Sequence, residues 1–196
     1  EAGHHHAYHA LTAGFVIADL VERVSKRSFR GFFRDNISRP LGLTTLDFGA
    51  HGDALARLAR NYVAGFRINA PSDMYLKRAI GTTLEHAVKL SNDPRYYRAV
   101  IPAGNGVGTA DECSQFFQCL LNGGRLGGVR VFKPLTGRRA IAEVGKAELD
   151  RSLMVPLRYS AGMMLGASPF GMYGPDTSKA YGHLGFANNF VWADPE

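Results

Sequence analysis

Cysteine is nearly absent from this 196-residue sequence, which carries only Cys113 and Cys119. They lie six apart in a stretch that reads as helix, so their Cα atoms stand about 9 Å apart, beyond the reach of a disulfide. Two free thiols favour a reducing compartment, the cytoplasm being the simplest. No apolar run approaches the length needed to span a bilayer as a helix. A stripe of one charge sign is missing too. The 23 Lys and Arg outnumber the 17 Asp and Glu, for a net charge of +6, yet they are scattered in ones and twos such as Lys26-Arg27, Lys77-Arg78 and Arg138-Arg139. Nothing there forms the continuous track that follows phosphates, which argues against nucleic-acid binding. Fixed-period repeats and low-complexity tracts are also missing. At 45% hydrophobic and 20% charged, the composition is that of an ordinary folded protein, and the length suits one domain.

What is present reads as helices first and strands last. From about His9 to Ser25 the apolar residues Ile17, Leu20, Val21 and Val24 recur at helical spacing, with Asp19/Arg23 and Glu22/Lys26 as i,i+4 pairs opposite. Ser28 is a good N-cap for a second helix that puts Phe29, Phe32, Phe33 and Ile37 on one face before Pro40 and Gly42 end it. Asp53 to Val63 is a helix candidate in an otherwise irregular region, and Phe66 to Arg78 has no clear period. Thr109 can cap a helix running to Leu121 that stops at Asn122-Gly123-Gly124. A short hairpin turning at Gly127-Gly128 follows, and then a helix with Pro134 at its first position. After Leu157 come Gly-punctuated segments suited to strands: Tyr159 to Leu165, Ala180 to Phe186, and Asn189 to Trp192. Short links between them imply an antiparallel sheet. The expected class is α+β, with residues 1–157 mainly helical and 158–196 contributing strands. Both ends have a cut appearance, so the fold is expected to be incomplete at each.

Three features invite a chemical reading. His4, His5, His6 and His9 are crowded, but no Cys, Asp or Glu nearby in sequence completes a metal set. Ordinary loop residues, or the remnant of an affinity tag, are the preferred reading, and neither metal nor other cofactor is expected. The second feature is Tyr8-His9-Ala10 at the start of an apolar helix, where the positive helix end would favour a phenolate. The third is Gly182-His183-Leu184-Gly185-Phe186, followed by Asn188 and Asn189. Glycines inside a strand mark close approach of a ligand or of another backbone.

Taken together and in order, these segments resemble the serine β-lactamase-like superfamily of class C β-lactamases and penicillin-binding proteins, and in particular its esterase branch. In that family a Ser-x-x-Lys motif supplies the nucleophile, a Tyr-x-Asn-like motif opens a later helix, and a Lys-Thr-Gly-like motif lies on a strand beside the site. Here Tyr8-His9-Ala10 takes the second place and His183-Leu184-Gly185 the third. Asn36-Ile37-Ser38-Arg39-Pro40-Leu41-Gly42-Leu43, Ile101-Pro102-Ala103-Gly104-Asn105-Gly106 and Gly123-Gly124-Arg125-Leu126 add to the likeness, which covers nearly the whole chain. The departures are informative. No serine in the sequence has Lys three residues on, Ala10 replaces Asn, and His183 replaces Lys. Loss of the Asn and Lys groups points away from β-lactams and toward esters.

The resemblance implies a β-lactamase/transpeptidase-like fold and a carboxylesterase or lipase acting on a small-molecule ester through an acyl-enzyme. The serine would come from a missing N-terminal segment of the same protein, and the fragment alone would be inactive. Tyr8 would exchange the serine proton, its pKa lowered from about 10 by the missing lysine. The backbone N–H of Phe186 would donate to the oxyanion, while His9, Ala10, Asn105, His183, Leu184 and Gly185 would contact substrate. A β-lactamase or DD-peptidase, and a non-catalytic binding protein of the same fold, remain open as alternatives.

Overall fold

The computed structural model describes residues 4–64, 74, 77–185 and 189–196. The chain divides into two compact units, one made of Ala7–Thr109 with Arg151–Met154, the other of Ala110–Asp150 and Val155–Glu196 with the residues up to His6.

In the first unit, helix α1 spans Thr12–Ser25 and closes on a left-handed Lys26 whose N–H bonds Glu22 O. The helix begins at Thr12, three residues later than the spacing suggests, and Leu11 at its N-cap makes no side-chain capping bond. Its buried face is built of small residues. Ala18 is buried, and a Cβ placed on Gly14 would lie 2.6 Å from Ala103 Cβ and N, so the glycine lets the loop around Ala103 sit directly on the helix. The large apolar stripe points the other way: Val16, Ile17, Leu20 and Val24 are each more than half exposed.

Helix α2 (Phe29–Phe33) starts as the sequence predicts, with Ser28 Oγ accepting from Gly31 N. It then widens into a π-turn at Arg34–Ser38, where Arg39 N bonds Arg34 O five residues back at 2.9 Å. Phe29 and Phe33 close on Phe48 at ring separations of 4.8 and 5.0 Å. Phe48 belongs to β1 (Asp47–Phe48). Helix α3 is only Ala54–Arg57, since Leu58 turns extended, so the longer candidate over 53–63 is not formed. Helices α4 (Leu84–Ser91) and α5 (Pro94–Arg98) follow, capped by the side chains of Thr83 and Asp93. Strand β2 (Gly106–Val107) then pairs antiparallel with β1. Most of the segment 66–78 lies outside the described residues.

The second unit opens with α6 (Ala110–Leu121), which ends where predicted: Gly124 N bonds Cys119 O, and Gly123 and Gly124 both take positive φ. Cys113 and Cys119 are free. The hairpin of β3 (Arg125–Leu126) and β4 (Val129–Arg130) turns through Gly127 and Gly128, both at positive φ as its tight turn requires. Helix α7 is Pro134–Ile141, with Pro134 in its first turn.

Strands β5 (Glu148–Leu149), β6 (Pro156–Tyr159), β7 (Met164–Leu165), β10 (Tyr181–Leu184) and β11 (Phe190–Ala193) form an antiparallel sheet in the order β11-β10-β7-β6-β5. The small ribbon of β8 (Phe170–Gly171) and β9 (Gly174–Pro175) lies between β7 and β10 in the chain. The sheet therefore begins at Glu148, ahead of Leu157. The expected strand over 159–165 is in fact two, because Ser160 makes a turn: its Oγ accepts from Met163 N at 2.9 Å. Phe117 and Leu120 of α6 pack on Leu165, Tyr181 and Ala193 as the core of this unit, with Phe117 and Tyr181 stacked.

Arg158 ties the sheet together. Its Nε and Nη2 grip both oxygens of Glu143 at 2.9 and 2.8 Å, and its Nη1 donates to the carbonyls of Gly166 and Ser178. We expect Arg158→Met to lose about 2 kcal/mol in chemical denaturation at neutral pH. The guanidinium holds the Glu143 carboxyl below its ordinary range. That contribution is complete above the unfolded carboxyl pKa and vanishes as pH falls through the lower folded value. The gap between wild type and variant should therefore narrow in acid.

Candidate active site

Tyr8, His9 and Ala10 lie in the irregular stretch just ahead of α1. Tyr8 and Ala10 are half-buried and His9 is exposed. His9 Nδ1 sits 2.7 Å from Ala7 O. A carbonyl can only accept, so that contact places the proton on Nδ1. The turn at 101–105 backs the start of α1: a Cβ on Gly104 would meet Leu11 Cδ2 at 2.8 Å and the hydroxyl of Tyr96 at 2.9 Å. A larger residue here would have to push these side chains aside.

Asn105 holds this turn in shape. Its Nδ2 donates to Tyr96 O at 2.8 Å and Ala99 O at 2.6 Å, and its Oδ1 accepts from Ile101 N at 2.9 Å. The side chain is buried, and its amide is engaged by the backbone of its own loop. Tyr96 adds a bond from its hydroxyl to Gly104 O at 2.7 Å, and burial pushes its phenol pKa up. Sequence reasoning picked out Gly104 but passed over Tyr96, which braces it. The available signal was Asp93-Pro94, a cap followed by a first-turn proline, which would have located α5 and hence Tyr96 on it.

In the second unit, His183, Leu184 and Gly185 come at the end of β10. His183 pairs with Val191 and Leu184 with Phe190 on β11. Strand alternation places Tyr181 and His183 on one face and Gly182 and Leu184 on the other. His183 is half-buried, with Nδ1 2.7 Å from Leu184 O. The glycine at 182 is explained by a neighbouring backbone: an added Cβ would lie 2.2 Å from Val191 O and 2.5 Å from Trp192 Cβ. Gly185 N bonds Asn189 O as the chain turns into β11. Phe186, the expected oxyanion donor, and Asn188 lie outside the described residues.

Among the histidines of the N-terminal run, His6 has partners that sequence proximity did not reveal. Its ring meets Tyr159 edge-on at 5.4 Å, and its Nδ1 lies 3.9 Å from Glu148 Oε1. Tyr159 in turn donates to the fully buried Asp150 at 2.9 Å. Among the described residues, no group of three His, Cys, Asp or Glu has the placement to hold a metal ion, and no helix is long and apolar enough to cross a membrane.

The model of the family described as Beta-lactamase matches residues 1–196. The chain belongs to the Beta-lactamase family. Within and around that family, it is 29% identical over 219 residues to the Esterase/beta-lactamase LipL of Mycobacterium tuberculosis, an alignment covering 97% of this chain and 46% of LipL. A solved family VIII carboxylesterase superposes with a TM-score of 0.81 at 25% identity, over 98% of this chain and 50% of the other. A penicillin-binding protein homologue from Caulobacter crescentus gives a TM-score of 0.75 at 26% identity, over 98% of this chain and 50% of that one. The fold is thus the α+β one of β-lactamases and transpeptidases, and the chain spans about half the length of these relatives.

Proposed function

We propose that this chain is part of a serine hydrolase of the Beta-lactamase family that cleaves carboxylic esters through an acyl-enzyme. One observation carries the reading: a single family match runs through Tyr8 and the His183-Leu184-Gly185 strand alike, and esterases are among the proteins it resembles. In the proposed reaction a serine hydroxyl attacks the ester carbonyl, and Tyr8, paired with a lysine, takes its proton and returns it to the leaving alcohol. The backbone N–H of Phe186 and that of the serine hold the oxyanion. His183, Leu184 and Gly185 form the substrate-facing strand end, with His9 and Ala10 beside Tyr8. Asn105 acts by holding the loop that forms the wall.

Since no Ser-x-x-Lys occurs among the 196 residues, the serine and lysine are proposed to come from the half of the domain for which this chain has no counterpart. The exposed stripe of Val16, Ile17, Leu20 and Val24 supports that, because an apolar face of this size calls for a cover. The free thiols of Cys113 and Cys119 support a reducing compartment such as the cytoplasm.

A second reading, hydrolysis of β-lactams or peptides, is favoured by the names of two relatives, an esterase/beta-lactamase and a penicillin-binding protein homologue. Initial rates separate the two. The complete protein should turn over a short-chain nitrophenyl ester faster than a labelled penicillin, and the present chain alone should turn over neither. Faster penicillin turnover would select the second reading, and ester turnover by the pure chain would overturn the claim about the nucleophile.

A further inference from the structure

Positive charge is concentrated in one part of the second unit. Residues 125–146 hold six of the 23 Lys and Arg, namely Arg125, Arg130, Lys133, Arg138, Arg139 and Lys146, against one of the 17 Asp and Glu, Glu143. Glu143 is taken by Arg158, which lies outside that stretch. All six cations are exposed, and none has an acidic partner among the described residues. In the first unit, by contrast, Arg23 pairs with Asp19, Arg27 and Arg39 share Asp35, and Arg30 holds Asp47.

The hairpin and the helix after it turn these cations outward. Arg125 stands directly across from Arg130 on the β3–β4 ribbon. Like charges in that register repel and cost stability. Arg130 Nη1 donates to Gly123 O at 2.8 Å and to Phe132 O at 3.1 Å, which brings the guanidinium up to the residue preceding Lys133, the N-cap of α7. On α7, Leu135, Arg138 and Arg139 recur at i, i+3 and i+4 and so share one face. The opposite face carries the buried Gly137 and Ile141, and Ile141 packs on the core around Phe117 and Leu120. The two arginines therefore point away from the core. Leu135 is set between them and is 50% exposed, and Val129 and Val144 of the same stretch are exposed as well.

Unpaired cations with an apolar side chain set among them match the boundary of an anionic bilayer, where acidic headgroups meet the charges and the upper acyl region takes the apolar group. We propose that the β3–β4 hairpin and the outer face of α7 form a peripheral docking surface for an anionic lipid bilayer. A polyanion in water would match the cations and leave Leu135 without a role. The surface is independent of the ester chemistry, since it uses none of the residues assigned to it.

Co-sedimentation of the complete protein with lipid vesicles tests this. It should pellet with vesicles of phosphatidylcholine carrying about 30% phosphatidylglycerol and stay in solution with phosphatidylcholine alone. Raising the ionic strength to about 0.5 M should release it. The double variant Arg138→Gln/Arg139→Gln should bind about twentyfold more weakly, each cation near the surface being worth about fivefold. Leu135→Ser should lose about fivefold without any change of charge. Arg57→Gln/Arg60→Gln, which removes the same charge from the first unit, should bind as wild type does. Equal loss in both double variants, or retention of DNA rather than of anionic vesicles, or no pelleting with anionic vesicles at low salt, would overturn the proposal.

Discussion

In the complete protein, Tyr8→Phe is expected to lower kcat for ester hydrolysis by about a thousandfold, within the span that a positioned proton-transfer group contributes. Phenylalanine keeps the ring and loses only the hydroxyl, so the half-buried packing of this residue survives. What disappears is the group proposed to carry the proton between serine and leaving alcohol. KM should change little, because the hydroxyl acts on the reacting atoms and not on the bound acyl group. The pH profile adds a second reading. If Tyr8 is the base, the alkaline-side assistance that requires phenolate is lost along with the rate. A variant retaining more than a tenth of wild-type kcat, with an unaltered circular dichroism spectrum, would remove Tyr8 from the chemistry and leave the chain a member of the family with another proton carrier.

Asn105→Ala should cost about 3 kcal/mol of stability, read as a shift in the denaturation midpoint. The substitution strips one amide that serves three backbone groups at once, two carbonyls on one side and the N–H of Ile101 on the other. Because the site is buried, water cannot replace all three. The loop it holds lies against Gly14 and Leu11 of α1, directly after Tyr8. Loosening that loop should reduce activity in the complete protein as well, and Asn105→Asp should not restore the stability at neutral pH, because a carboxylate oxygen would face the Tyr96 and Ala99 carbonyls with no proton to donate. If Asn105→Ala melts with wild type, the hydrogen bonds contribute nothing net and the residue is better placed in contact with substrate.

Local signals in the sequence announced the elements they act on directly. Ser28, Gly123-Gly124, Gly127-Gly128 and Pro134 each governs a cap or a turn through its own backbone, and each is found where its chemistry puts it. Apolar periodicity was less reliable about direction. It found α1 and could not reveal that Gly14 and Ala18 make the buried face while the larger Val16, Leu20 and Val24 stay exposed, since that depends on what packs against the helix. Short strands fell between two kinds of signal. Ser160 gives no strong turn signal of its own, and the bonds that break 159–165 into two, from Met163 N to its hydroxyl and from its own N–H to Met163 O, exist only once the chain has turned. In the first unit the support behind the start of α1 was hidden: Tyr96 and Asn105 cooperate through carbonyls contributed by several residues, a pattern with no fixed spacing to read. The π-turn was equally illegible, because its residues look like any other helix end.

That π-turn contains one residue more than the α-helix it interrupts. Removing any one of Asp35, Asn36 or Ile37 would let the ladder relax to ordinary pitch, winding everything downstream by about 100° and drawing it in by about 1.5 Å. Arg39 would swing away from Arg34, and Ser38 would leave its buried seat. The stretch from Arg34 to Leu43 is therefore constrained in its length: the loss of one position would dismantle the whole corner.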